Sequence, residues 1–162
     1  RMKDLPYFDR DAKKITYDMW HGYRKLERDS QHAAFPFGFG LTYTRFEWSD
    51  IRVTPAIATA GDTFEVSVRV RNRGKIAAAD VVQLYVGAPD SKVERAVAEL
   101  KGFQRVELQP GEEKRVSLSL PVRSLEYYDP KKKWTVEKTR YVIMLRRHAE
   151  DSQGLEKSVR VT

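Results

Sequence analysis

Apolar and polar residues alternate along most of the chain after residue 46, with the two-residue period of a strand that has one buried and one exposed face. The alternation is clearest at 63–71, and it recurs at 82–86, 116–120, 141–145 and 159–161. Turn-forming residues such as Gly, Pro, Asn and Asp separate these runs. Short strands at this spacing, without a long helical pattern between them, predict an all-β antiparallel sandwich of about seven strands, with a barrel as the alternative.

The phase of the alternation also predicts which side chains form the core. The apolar positions of one run share one face of their strand, so they should point between the two sheets. We expect these side chains to point inward: Phe64, Val66, Val68, Val70, Leu84, Val116, Leu118 and Leu120. Trp48 follows Phe46 at the same spacing, and we expect it to pack in the core beside Phe46.

The N-terminal part of the chain lacks this pattern. Residues 1–33 are polar and irregular, and they are predicted to form a leader without a core of its own. Residues 34–45 are too apolar for a flexible linker and too often interrupted by Gly and Pro for a helix or central strand. We therefore predict a rigid connector, followed by the sandwich at 46–162. Its aromatic side chains are expected to pack against another domain at an interface: Phe35, Phe37, Phe39 and Tyr43.

Composition narrows the class of protein. With 162 residues, 41% of them hydrophobic, the chain suits one domain with a real core. The net charge of +7 is spread along the chain, which argues against nucleic-acid binding, and no apolar stretch is long enough to predict a membrane span. The densest basic cluster, 131–133, follows a turn-initiating Asp-Pro pair and is predicted to be an exposed hairpin tip. The absence of cysteine excludes disulfides, Cys-ligated zinc and a thiol nucleophile.

Few residues suggest chemistry of their own. The histidines, at 21, 32 and 148, are far apart in sequence, so neither a metal site nor a cofactor is predicted. No serine lies in a nucleophile-elbow motif. Exposed aromatic side chains can stack on sugar rings, which makes Trp20, Tyr23 and Trp134 weak candidates for substrate binding. For Trp20 and Tyr23 we favour packing at a domain interface over direct substrate contact.

Several segments together resemble a known family. The connector and the start of the first predicted strand, AAFPFGFGLTYTRFEW at 33–48, closely resemble the segment that leads into the C-terminal fibronectin type III-like domain of family 3 glycoside hydrolases. Segments 68–86, 99–121 (ELKGFQRVELQPGEEKRVSLSLP) and 125–136 resemble strands of that domain. DLPYFD at 4–9 and ITYDMWHGYRKLER at 15–28 resemble the end of the preceding α/β sandwich domain.

The resemblance implies an immunoglobulin or fibronectin type III-like fold and an accessory role. In family 3 enzymes the nucleophilic aspartate lies on an N-terminal barrel, and the acid/base carboxylate usually comes from the α/β sandwich domain or its loops. No residue of this chain matches either motif, so no catalytic residue is predicted and the chain alone is expected to be inactive. The chemistry needs two carboxylates about 5 Å apart across the glycosidic bond.

The implied partners are the catalytic barrel and the α/β sandwich domain of a parent β-glucosidase or β-xylosidase, in the same chain or a companion chain. A β-linked oligosaccharide would be bound through that parent. This chain would stabilise the catalytic domains and border the substrate entrance. The alternative is an autonomous carbohydrate-binding module that uses exposed aromatics. The resemblance also favours a periplasmic or secreted location over a cytoplasmic one.

Overall fold

The computed structural model describes residues 11–14 and 16–162. Residues 1–10, which include the segment 4–9, and residue 15 lie outside the described residues, and so do the expectations stated for them. One short α-helix, α1 (Tyr23–Arg28), lies in the leader, and residues Val122–Leu125 form a 3-10 helix. Ten strands follow: β1 (Phe46–Thr54), β2 (Ile57–Ala58), β3 (Thr63–Asn72), β4 (Ala78–Gly87), β5 (Glu99–Leu108), β6 (Glu113–Pro121), β7 (Tyr127–Asp129), β8 (Lys133–Thr135), β9 (Arg140–Arg146) and β10 (Leu155–Val161).

Two sheets form the sandwich. The smaller sheet has the order β1-β3-β6, and the larger has the order β2-β10-β9-β4-β5. All pairings between the long strands are antiparallel, whereas the two-residue strand β2 pairs with β10 in parallel. Strands β7 and β8 form a separate two-stranded hairpin. Seven strands have seven residues or more, so the predicted all-β sandwich of about seven strands is confirmed.

The core lies between the two sheets, as the alternation predicts. Every side chain expected to point inward is buried there. The four apolar side chains of β3 are fully buried, and their β6 partners lie on the same face, with Val66 opposite Leu118 and Val68 opposite Val116. Phe46 and Trp48 both join this core, and the Trp48 indole donates a hydrogen bond to Asp80 Oδ2 at 2.7 Å.

A buried asparagine joins the sandwich to the connector. Asn72 is fully buried, and its amide group donates hydrogen bonds to the backbone oxygens of Ile76 and Leu108. Its carbonyl oxygen accepts hydrogen bonds from the Thr44 hydroxyl at 2.6 Å and from the Gly74 backbone N–H. These bonds fix the turn after β3 and the last part of the connector in one arrangement.

The described part of the chain contains no helix with the length and apolarity needed to cross a membrane. Within the same residues, no three His, Cys, Asp or Glu side chains are grouped so as to hold a metal ion.

Candidate domain interface

The leader crosses the outer face of the larger sheet and is held there by polar contacts. The Trp20 indole donates a hydrogen bond to Glu94, in the loop between β4 and β5, at 2.8 Å. Arg24 lies 3.5 Å from Glu99 at the start of β5. Farther along, Glu27 of α1 lies 3.7 Å from Arg146 at the end of β9. The leader therefore contacts both β5 and β9.

Glu150 binds the end of the leader from the β9–β10 turn. Its carboxylate accepts a hydrogen bond from the Ala33 backbone N–H at 2.9 Å, and its Oε2 lies 3.0 Å from His32 Nδ1. The Ala33 N–H, together with His32, lowers the pKa of the Glu150 carboxyl. The charged form of Glu150 is thus favoured by the contact that holds the leader.

Glu27 lies in a less polar environment. Burial raises the pKa of its carboxyl, and the Arg146 guanidinium partly opposes that effect. Arg146 in turn lies over the Tyr85 ring, 5.6 Å from its centroid. Tyr85 belongs to a second apolar cluster with Ala98 and Met144, apart from the core between the sheets. The outer face of the larger sheet therefore carries a cluster of apolar side chains, whereas a sheet face that contacts only water is usually polar.

The first half of the connector is held against the same face. The Ala149 N–H donates a hydrogen bond to the Phe37 carbonyl at 2.9 Å. Gly38 has a φ of 82° and passes so close to the Gln83 side chain that a Cβ atom at position 38 would collide with the Gln83 amide group. Gln83 is itself buried and is fixed by bonds to the Arg147 carbonyl and the Tyr85 hydroxyl. Only glycine fits at position 38, because of both the close approach and the left-handed backbone.

The connector aromatics stay largely exposed although their backbone is held. Phe35 is 69% exposed and Tyr43 is 97% exposed, and about half of the Phe37 and Phe39 side chains is accessible. Phe35 and Phe39 contact each other with ring centroids 5.7 Å apart. None of these rings belongs to either apolar cluster of the described residues. A rigid backbone that presents exposed aromatic rings is suited to packing against another protein surface.

Two apolar residues of β5 extend this surface, and neither was expected from the sequence. Phe103 is 68% exposed and is the cross-strand partner of Gln83, while Leu100 is the partner of Tyr85. Both side chains therefore share the outer face with the connector. Their signal in the sequence is a spacing of three residues, which would place Leu100 and Phe103 on opposite faces of a regular strand. The register shift between Leu84 and Tyr85 places both on the same face.

A cavity of about 640 Å³ lies between the leader and the larger sheet. Its lining combines aromatic side chains with charged ones, including Tyr23, Glu27, Phe37, Tyr85 and Arg146. The structure thus brings Tyr23 and Phe37 together, with ring centroids 6.1 Å apart. We name the connector aromatics, Leu100, Phe103 and this cavity the outer-face surface.

The structure separates the three aromatic candidates for sugar contact. Trp20 is partly buried under Arg28, whose guanidinium lies 4.8 Å from the indole centroid. Tyr23 donates a hydrogen bond to the Phe35 carbonyl and lies in the outer-face surface. Trp134 lies elsewhere, on the exposed β7–β8 hairpin, beside the lysine cluster that the sequence predicts at a hairpin tip. These side chains therefore do not form a common platform.

Comparisons with known proteins agree with this architecture. The fibronectin type III-like domain family matches residues 80–149. Thermostable beta-glucosidase B of Acetivibrio thermocellus is 44% identical over 152 residues, which are 93% of this chain and 20% of the relative. The beta-glucosidase of Kluyveromyces marxianus is 40% identical over 161 residues, 93% of this chain and 18% of the relative. The chain thus spans about a fifth of the length of these relatives.

Solved structures show the same similarity. Beta-glucosidase 3B of Thermotoga neapolitana in complex with glucose has a TM-score of 0.79 at 33% identity, covering 88% of this chain and 19% of that chain. The GH3 beta-glucosidase of Bifidobacterium adolescentis has a TM-score of 0.79 at 31% identity, covering 88% and 21%. The match to part of larger enzymes confirms the predicted accessory role over that of a free-standing carbohydrate-binding module. The chain belongs to the family 3 glycoside hydrolases, as the C-terminal, fibronectin type III-like part of such a protein.

Proposed function

We propose that the full-length protein is a glycosidase of the β-glucosidase type, which hydrolyses terminal β-linked sugars, and that this chain stabilises its catalytic domains and borders the substrate entrance. The chain contributes neither catalytic carboxylate. The observation that carries the proposal is the outer-face surface, where exposed aromatic rings are presented by a backbone fixed at Phe37 and Thr44.

The outer-face surface is the proposed contact with the preceding α/β sandwich domain. Each Phe ring contributes about 1.5–3 kcal/mol when it moves from water to a buried environment. Phe35 and Tyr43 are mostly exposed, and about half of Phe37 and Phe39 is exposed, so a substantial part of this free energy is available for docking. Residues 1–33 and 34–45 would then belong to the interface, and 46–162 to the accessory domain itself.

The docking proposal is tested by Phe37→Ala with Phe39→Ala in the full-length protein. The double variant should lower the melting temperature and release the domain, with loss of activity following that release. Ile57→Ala with Ile76→Ala, two exposed residues outside the surface, is the matched control and should change little. Unchanged stability of the Phe variant would contradict the proposal.

The absence of catalytic groups is tested on the purified chain alone. It should release no nitrophenol from aryl β-glucosides or β-xylosides above the uncatalysed rate, whereas the full-length protein should release it readily. Turnover by the chain that persists after contaminating full-length enzyme has been removed would show that a catalytic pair lies within these residues.

A further inference from the structure

The β7–β8 hairpin presents an aromatic pair that the proposed interface does not use. Tyr128 and Trp134 are direct cross-strand partners, with ring centroids 5.7 Å apart and planes at 72°. Cross-strand aromatic pairs stabilise hairpins, which explains why the two rings touch. It does not explain why Tyr128 remains 59% exposed and Trp134 65% exposed. Most of both ring surfaces is available to a ligand.

The opposite face of the hairpin is anchored. The Tyr127 ring packs against Arg95, whose guanidinium carbon lies 4.9 Å from the ring centroid. Arg95 donates a hydrogen bond to the Leu125 carbonyl and lies 3.7 Å from Glu137. Glu137 also accepts hydrogen bonds from the Ser91 hydroxyl and the Lys92 N–H. These contacts anchor the hairpin that carries the exposed aromatic pair to the rest of the domain.

Positive charge is concentrated beside the aromatic pair. Lys131, Lys132 and Lys133 are exposed, and none of them forms an ion pair with the described residues. The Asp129 carboxylate is occupied by the turn, where it accepts hydrogen bonds from the backbone N–H groups of Lys131 and Lys132. The three ammonium groups are thus free to bind an anionic partner.

Lys133 occupies a backbone conformation that favours glycine. Its φ is 63°, in the left-handed region, and it directly precedes Trp134. A lysine costs conformational energy there that a glycine would not. The fold alone gives no reason for lysine at this position, whereas a role of its ammonium group in binding does.

The hairpin and the connector lie at opposite ends of the larger sheet. Strand β9 begins at Arg140, just after the hairpin, and ends at Arg146, next to the residues that hold the connector. Seven residues of strand span about 20 Å. The exposed Tyr128 and Trp134 rings are therefore separated from the connector and lie outside the outer-face surface.

We propose that this hairpin binds an acidic carbohydrate polymer, with sugar rings packed on Trp134 and Tyr128 and their carboxylates bound by the lysines. Ring faces suit the apolar C–H surface of a pyranose, and the unpaired ammonium groups complement its charge. The choice of a carbohydrate over another polyanion rests on the proposed function.

Binding is measured on the full-length protein by affinity electrophoresis, at low and high salt. The probes are polygalacturonate, the neutral polymer hydroxyethyl cellulose, and single-stranded polydeoxythymidylate. The protein should bind polygalacturonate at low salt, more weakly at high salt because ammonium–carboxylate attraction is screened, and hydroxyethyl cellulose hardly at all. Because activity on small aryl glucosides is measured separately, failure of this proposal is distinguishable from failure of the proposed function.

Variants separate binding from folding. Lys133→Gly should leave the hairpin at least as stable, as judged by the melting temperature, yet weaken binding. Adding Lys131→Ser and Lys132→Ser should weaken it about tenfold or more, equivalent to about 1.4 kcal/mol. Trp134→Phe keeps an aromatic cross-strand pair and should bind less well than the parent, while Trp134→Ala should bind least.

The matched control is Lys75→Ser with Lys157→Ser, which changes the charge at exposed positions away from the hairpin. An equal loss of affinity in this control would overturn the proposal, as would equal binding of hydroxyethyl cellulose. Tighter binding of polydeoxythymidylate than of polygalacturonate would overturn it in favour of a nucleic-acid ligand. Absence of polygalacturonate binding would also overturn it.

Discussion

At the scale of single residues, the most constrained polar group is the buried Asn72 amide. It makes four hydrogen bonds, to Ile76, Leu108, Thr44 and Gly74. A buried polar group left without a partner costs about 1–3 kcal/mol. Nothing in the sequence marks this asparagine as different from one in an ordinary turn, because its partners come from three separate segments.

Asn72→Ala should therefore lower the free energy of unfolding by about 1–3 kcal/mol, since backbone groups at Ile76 and Leu108 lose their partner. Urea unfolding of the isolated sandwich measures the change. Gln109→Ala removes an amide side chain from an exposed turn position and is the matched control, with little change expected. Equal stability of the two variants would show that Asn72 is not essential to this turn.

Asp80 should make stability depend on pH. Burial raises the pKa of its carboxyl above the usual value, against the opposing effect of the Trp48 and Val81 N–H groups. The folded state thus takes up the proton more readily than the unfolded state. Its contribution to stability is greatest below the ordinary pKa and is lost as pH rises through the raised pKa.

Asp80→Asn should remove this contribution, while its single carbonyl oxygen still accepts one of the two hydrogen bonds, from the Trp48 indole or from the Val81 N–H. Stability measured from acid to neutral pH should then fall less steeply with rising pH than in the parent. Asp90→Asn is an informative control, because Arg140 lowers the pKa of the Asp90 carboxyl. Removing Asp90 should change the pH dependence in the opposite sense, by a smaller amount because the group is exposed. Parallel pH profiles for parent and Asp80→Asn would contradict the assignment.

At the scale of elements, the strands could be predicted because burial alternates with the same period as polarity. Strand β3 shows this best, since four of its five inward positions are apolar and fully buried, and the fifth is the buried Asn72. The contacts of the leader could not be predicted in the same way. Pairs such as Arg24 with Glu99 join residues far apart in sequence, and neither partner belongs to a periodic pattern. The connector aromatics were recognisable, but Phe103 was not, because its exposure depends on the register of β5 with β4.

Truncation in the core should be costly. Val68→Ala or Leu118→Ala should each lower the unfolding free energy by about 1–4 kcal/mol, because both side chains fill the space between the sheets. Val97→Ala, at an exposed apolar position, is the control and should stay within about 0.5 kcal/mol. A small effect at both core positions would mean that the two sheets do not pack as described.

At the scale of the whole molecule, the leader is held to the sandwich mainly by exposed polar contacts. Surface ion pairs such as Arg24–Glu99 contribute about 0–1 kcal/mol each, whereas ordering a residue's backbone costs about 1–2 kcal/mol. Ordering the leader of the isolated chain therefore costs more free energy than these contacts return. A docked neighbouring domain would supply the missing apolar burial.

Hydrogen exchange tests this balance. In the isolated chain, backbone amides of residues 16–33 should exchange quickly, whereas those of β3 should be protected. In the full-length protein both should be protected. Strong protection of 16–33 in the isolated monomer would show that the leader is ordered on the sandwich without a neighbouring domain, and it would contradict this balance of free energies.

The two fixed points of the connector determine how this domain can move. The Phe37 carbonyl is held by the Ala149 N–H and the Thr44 hydroxyl by Asn72, so residues 37–44 connect two anchored positions across a span that an extended chain limits to about 25 Å. A single attachment would let the domain rotate about one bond, as a tethered module does. Two attachments prevent this rotation. The orientation of the sandwich relative to the preceding domain is then determined by where the connector is attached to the sandwich. Lengthening the segment between 39 and 43 should therefore leave the domain's orientation unchanged, while a larger side chain at 38 should turn the domain without changing its fold.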